Sequence, residues 1–206
     1  MKKSLDIQLK TLLKNSFLLT FLFLLVSCST QLNDTISKVE SIDNEYNVKL
    51  SDYSFGLQYF DKYAREVNDS QKELNQEDFD SILERLDLLK ADITDEDSLK
   101  YIDLRYSLYK AEKTYLIAER KPFTNYKSVL RCSKANELVV SYSEVREAIS
   151  YINESVQIYN EIDFKKKLDL PENFEDVIEA SNKELLSYIN EREDVITQNC
   201  NQSQTE

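Results

Sequence analysis

Apolar residues recur at helical spacing along most of the chain, and the alternation that marks strands is nearly absent. Tyr46, Leu50, Tyr53, Leu57, Phe60, Ala64 and Val67 step by four and three, which predicts a first helix over about 34–68. After Asn75-Gln76-Glu77-Asp78 the pattern restarts with Phe79, Ile82, Leu83, Leu86, Leu89 and Ile93, the face of a second helix. Thr94-Asp95-Glu96-Asp97 sets a hydroxyl and then acids where a helix start favours them, so Thr94 is the expected cap of a third. That helix carries Leu104, Leu108, Ala111, Tyr115 and Ala118 until Pro122 stops it. A fourth, over about 134–163, has Leu138, Tyr142, Val145, Ile149, Ile152, Val156 and Tyr159 on one side. A fifth opens after Pro171 with Phe174, Val177, Ile178, Leu185, Ile189 and Ile196, and the polar residues 198–206 are expected to fray.

Stripes that alternate steps of three and four belong to helices crossing at small angles, so the expected fold is all-α, an up-and-down antiparallel bundle of four to five helices. Gly56 is the sole glycine, which leaves hairpin turns almost without their usual residue. A short helical-repeat solenoid is the alternative architecture; no residue signature recurs at a fixed period to favour it.

The first 28 residues have another character. Lys2, Lys3, Lys10 and Lys14, opposed only by Asp6, precede an uncharged apolar run of ten residues from Phe17 to Val26. Ten residues fall well short of the ~20 that span hydrocarbon and match the core of an export signal. Leu25-Val26-Ser27-Cys28 follows, and it resembles the lipobox of bacterial prolipoproteins. The resemblance implies diacylglycerol on the Cys28 thiol, cleavage before that residue, and often a further acyl chain, such as palmitate, on the new amino terminus. Two or three chains anchor stably, where one is marginal. It also implies a cleaved leader at 1–27; with the helical periodicity this leaves a short tether at 28–33 and a helical domain at 34–197.

Loss of the leader sharpens the charge. The full chain holds 26 Lys+Arg and 38 Asp+Glu; without residues 1–27 the balance is 22 against 37, a formal −15. Nucleic acid is not an expected partner of so acidic a surface, whose largest basic run is Lys165-Lys166-Lys167. With Cys28 lipidated, Cys132 and Cys200 remain as an even pair, which in an exported protein reads first as a disulfide. The two would clip the fourth and fifth helices at one end of a bundle.

Candidate chemistry is thin. The chain has no histidine, which removes the commonest general base, the usual triads and the Glu-x-x-His element of di-iron bundles. Neither a calcium loop around Asp92, Asp95, Glu96 and Asp97 nor a phosphate-binding glycine loop is present, so no metal or other cofactor is expected. Glu144 with Glu147, and Glu175 with Glu179, share helix faces and read as solvated acids. Thirteen tyrosines, among them Tyr101, Tyr106, Tyr109, Tyr115, Tyr142, Tyr151 and Tyr159, read as a border between core and solvent, ring inward and hydroxyl outward. Phe123 and Tyr126, in the loop after Pro122, are the expected partner contact.

The expected function is that of a lipid-anchored, non-enzymatic binding, scaffold or accessory protein of the cell envelope. Its expected partners are the membrane, through lipid on Cys28, and another envelope protein. The alternative is a small-ligand binder or enzyme with a carboxylate and tyrosine site in a bundle cavity. Ser29, rather than aspartate, follows the lipobox cysteine, and by resemblance to enteric lipoproteins this favours the outer membrane, facing the periplasm.

Overall fold

The computed structural model describes residues 31–48, 74–119, 135–168, 170 and 173–201. Its regular structure among these is wholly helical: α1 (31–46), α2 (Gln76–Ala91), α3 (Glu96–Glu119), α4 (Ala135–Glu161), a 3-10 turn at Lys165–Lys167, and α5 (Phe174–Asn201). Each of α2 to α5 packs on its neighbour in the chain, and α1 lies on α2 and α3. The all-α bundle expected from the periodicity is what the chain forms.

Ion pairs and ring contacts give the direction of each pair. Lys90 bonds Asp103 and Lys113 bonds Asp80, one antiparallel register for α2 against α3. Arg146 grips Glu193 through both carboxylate oxygens at 2.7 and 2.6 Å, Asn182 donates to Asn153 at 2.8 Å, and the Tyr159 and Phe174 rings stand 5.0 Å apart, so α4 and α5 are antiparallel as well. One core threads all five helices, from Val39 through Ile82, Leu86, Ile102, Leu104 and Leu108 to Ile149, Ile152, Leu185 and Ile189.

The helix ends correct several expectations. The first helix was expected over 34–68, but α1 stops at residue 46. Asn47 sits at φ 55, its N–H bonds Asn44 O, and the Val48 N–H bonds Asp43 O at 2.8 Å. These are the paired bonds of a Schellman stop, with asparagine in the left-handed position and Val48 buried as its apolar clasp. Leu50, Tyr53, Leu57, Phe60, Ala64 and Val67 lie outside the described residues. The helix also takes in residues 31–33, which had been given to the tether. Asp95, not Thr94, caps α3: its Oδ2 accepts from Ser98 N at 2.9 Å and Ser98 Oγ at 2.6 Å. Asn75 caps α2 through a capping box with Asp78. Finally, α5 runs through Cys200 to Asn201, beyond the expected fraying at 198.

The Arg146–Glu193 clamp makes a pH-dependent contribution. Hydrogen bonding to Arg146 holds the Glu193 carboxyl below the usual carboxylate value, so the stabilisation is present at neutral pH and is lost as Glu193 protonates in acid. Arg146→Ala is expected to cost about 0.5–1 kcal/mol at pH 7, discounted for its partial exposure. In urea titrations the deficit should shrink by pH 3; an equal deficit at both pH values would locate the effect in packing instead.

Candidate functional site

The central helix, α3, is enclosed by its neighbours. Tyr101, Ile102, Leu104, Arg105, Leu108, Tyr109, Ala111, Glu112, Tyr115 and Ala118 are buried, and α1, α2 and α4 cover them. The line through Tyr106, Lys110, Lys113, Thr114 and Ile117 stays half-buried. It forms the floor of a groove of about 630 Å³ between α2 and α4.

One wall comes from α2: Asp80, Glu84 and Asp87, spaced four and three residues apart, with Leu83 below and Leu88 at the rim. Leu88 is 64% exposed, the largest value among the exposed large apolar side chains described. The other wall is Glu144, Glu147 and Tyr151 of α4. Five carboxylates against two lysines give the lining a formal −3.

The groove already holds an ammonium group. Lys110 Nζ lies 4.5 Å from the centre of the Tyr151 ring and 5.9 Å from that of Tyr106, within reach of cation–π attraction to both. The Tyr151 hydroxyl donates to Glu147 Oε1 at 2.7 Å. Hydrogen bonding with Tyr151, reinforced by the charge of Glu147, holds Lys110 above the usual lysine value, so it is cationic at neutral pH. The bond to Glu147 likewise raises Tyr151, which stays a neutral donor. Lys113 is committed to Asp80.

A second polar cluster is sealed in the core and is structural. Asp43 of α1 accepts from the Arg105 guanidinium and from the Tyr109 hydroxyl, and Arg105 also bonds Tyr109 at 2.9 Å. Arg105 leans on the faces of Tyr101 and Tyr109, with its guanidinium carbon 6.0 and 5.4 Å from their centres. Burial opposes its charge, but Tyr109, Tyr101 and Asp43 outweigh that cost and Arg105 remains a cation. Burial pushes the Tyr109 hydroxyl well above its usual value, so it is a proton donor at any physiological pH.

The structure sorts the residues singled out by sequence. Glu144 and Glu147, expected as solvated acids, are brought together in the groove, whereas Glu175 and Glu179 stand in solvent. The tyrosines divide: Tyr106 and Tyr151 line the groove, while Tyr101, Tyr109, Tyr115 and Tyr142 are fully buried rather than turned hydroxyl-outward. Among the described residues no group of side chains could hold a metal ion, and Asp95 is spent on its helix cap. Cys200 is half-buried against the core and disulfide-bonded, with its partner outside the described residues. Cys28, Phe123, Tyr126 and Cys132 also lie outside them.

No helix of the described residues is long and apolar enough to cross a membrane. No family model, curated protein or solved structure matches this chain.

Proposed function

We propose that this chain is an exported, lipid-anchored binding protein of the cell envelope, which meets its partner in the groove on α3. The observation that carries the reading is the groove itself: three helices expose a concave acidic face in which Lys110 rests on Tyr151 and Tyr106, Tyr151 bonds Glu147, and Lys113 pairs with Asp80. Such a surface suits recognition better than turnover. General acid–base work wants convergent carboxyls shielded from water, and here Asp80, Glu84, Asp87 and Glu147 are exposed and Glu144 alone is half-buried. The small-ligand alternative draws on the same carboxylates and tyrosines; the openness of the groove counts against it.

Two features support the anchor. The helical domain begins by residue 31, three positions past Cys28, and the Lys165–Lys167 turn is tied to that end by Lys167 donating to Asn33 at 3.0 Å. The largest basic run of an acidic chain thus sits where lipid on Cys28 would hold it near head groups. The cross-link at Cys200 fits an oxidising compartment, with Cys132 as the proposed partner, and the outer membrane, facing the periplasm, is the proposed site.

The test is intact mass together with crosslinked capture from the protein's own envelope. Wild type should exceed the unmodified mass of residues 28–206 by its lipid, and Cys28→Ala should lack it; equality to the unmodified mass removes the anchor. Capture should fail in Glu84→Lys/Asp87→Lys and persist in Phe123→Ala/Tyr126→Ala. The reverse pattern moves the contact to the loop, and recovery wholly in the inner membrane refutes the outer-membrane placement.

A further inference from the structure

We infer that the ligand of the groove is an extended, basic stretch of a partner polypeptide, about five residues long, with an apolar side chain at the end that meets Leu88. This deepens the binding-protein reading and rests on it for the setting in which the partner is met; the chemistry below stands on the groove alone.

Length comes first. The floor from Tyr106 to Ile117 covers eleven helical steps, about 16 Å at 1.5 Å per residue. An extended chain advances about 3.3 Å per residue, so about five residues fill the groove end to end.

Charge comes second. The two α2–α3 ion pairs fix a register that sets Asp87 beside Tyr106, Glu84 beside Lys110 and Asp80 beside Lys113. Asp80 is engaged by Lys113, while Glu84 and Asp87 present exposed carboxylates along the α2 rim. Glu147 adds a third on the opposite wall. Cationic side chains projecting to both sides of an extended strand reach both walls, because successive side chains point to opposite faces.

The groove also displays a working example of the contact. Lys110 holds its own ammonium against Tyr151 and Tyr106, beside the Tyr151–Glu147 hydrogen bond. The same rings and carboxylate can take an incoming lysine or arginine, with Lys110 moving along the floor toward Glu84.

Leu88 and Ile117, at opposite ends, distinguish a polypeptide from a simple polycation. An ammonium chain gains nothing from an exposed leucine, whereas an apolar side chain seated on it removes both surfaces from water. A second copy of this chain is disfavoured as occupant, since its formal −12 would set acid against acid.

The experiment is a fluorescence-anisotropy titration of the purified full-length chain in mild detergent. The probe is a labelled hexapeptide of five consecutive lysines with a leucine at one end and both ends capped, which sets ammonium groups on both faces of the extended strand. Saturable binding is expected, weakened about tenfold or more by Glu84→Lys/Asp87→Lys and about fivefold by Leu88→Ser, with strong salt dependence. All three substitutions are at exposed positions, and unchanged circular dichroism and melting confirm that the variants fold. The inference is overturned by absence of binding, by equal binding of the glutamate counterpart, by competition from spermidine at equal charge concentration, or by indifference to the variants. Failure here with envelope capture intact would leave the binding-protein reading standing on another surface. Peptide binding with no envelope partner would do the converse.

Discussion

Arg105→Ala is expected to destabilise the protein by about 3–5 kcal/mol, the cost of breaking a buried ion pair and leaving one charge without its partner. For a domain of this size that lowers the melting temperature by on the order of 10 °C. Arg105 is nearly inaccessible, with 4% of its side chain exposed, and it joins α3 to Asp43 of α1. Asp43 is doubly committed: its carboxylate takes Arg105 and Tyr109, while its carbonyl accepts the Val48 N–H that stops α1. Loss of Arg105 therefore strands Asp43 in the core at the point where α1 ends. Hydrogen exchange in α1 should accelerate more than in α4 or α5. Tyr109→Phe removes one hydrogen bond and should cost about 1–2 kcal/mol. An Asp43→Leu/Arg105→Met double variant should recover most of the loss, because removing both charges removes the desolvation penalty with them. A double variant as unstable as Arg105→Ala would show that the pair is not what Arg105 contributes.

Much of the fold was legible because burial follows periodicity. Every position read for the α4 stripe from Leu138 to Ile152 is buried, and in α5 Phe174, Ile178, Leu185, Ile189 and Ile196 are too. Helix ends were harder. The stripe through Tyr46 and Leu50 masked the stop at Asn47, although an asparagine followed by valine is a readable Schellman signal. At 94–95 both residues are good caps, and only the Ser98 contacts decide for Asp95. The polar end of α5 has weak helical character of its own, but it carries Cys200, which packs on the core, and tertiary contact overrides propensity there.

The site was less legible for a physical reason. A groove is a relation among three helices, and each of its faces taken singly resembles a solvated surface. Asp80, Glu84 and Asp87 do form a stripe in the sequence, as do Tyr106, Lys110, Lys113 and Ile117, but nothing in either stripe says that the other lies opposite. Arg105 was the clearest missed signal. It sits one helical turn from both Tyr101 and Tyr109, on a face otherwise made for burial, and a cation there calls for an acid such as Asp43 elsewhere in the chain.

Cleaving the proposed Cys132–Cys200 bond is expected to cost roughly 4 kcal/mol, the chain-entropy value for a closed loop of nearly seventy residues. Reach argues for this pairing. The Lys167–Asn33 contact puts the start of α1 beside the turn that precedes α5, and Cys200 lies about 39 Å from the start of α5 along its axis. The five residues from Cys28 to Asn33 extend at most about 18 Å. Cys132 precedes α4 by three residues, and the Arg146–Glu193 clamp sets that end of α4 beside the end of α5. Cys132→Ser should therefore melt lower than wild type, by an amount that added reductant reproduces in wild type and does not enlarge in the variant. Cys28→Ala should leave the melting temperature unchanged. Non-reduced peptide mapping checks the bond directly: a cross-linked peptide containing Cys28 and Cys200 would overturn the pairing and the lipid anchor together, because a sulfur held in a disulfide cannot carry diacylglycerol.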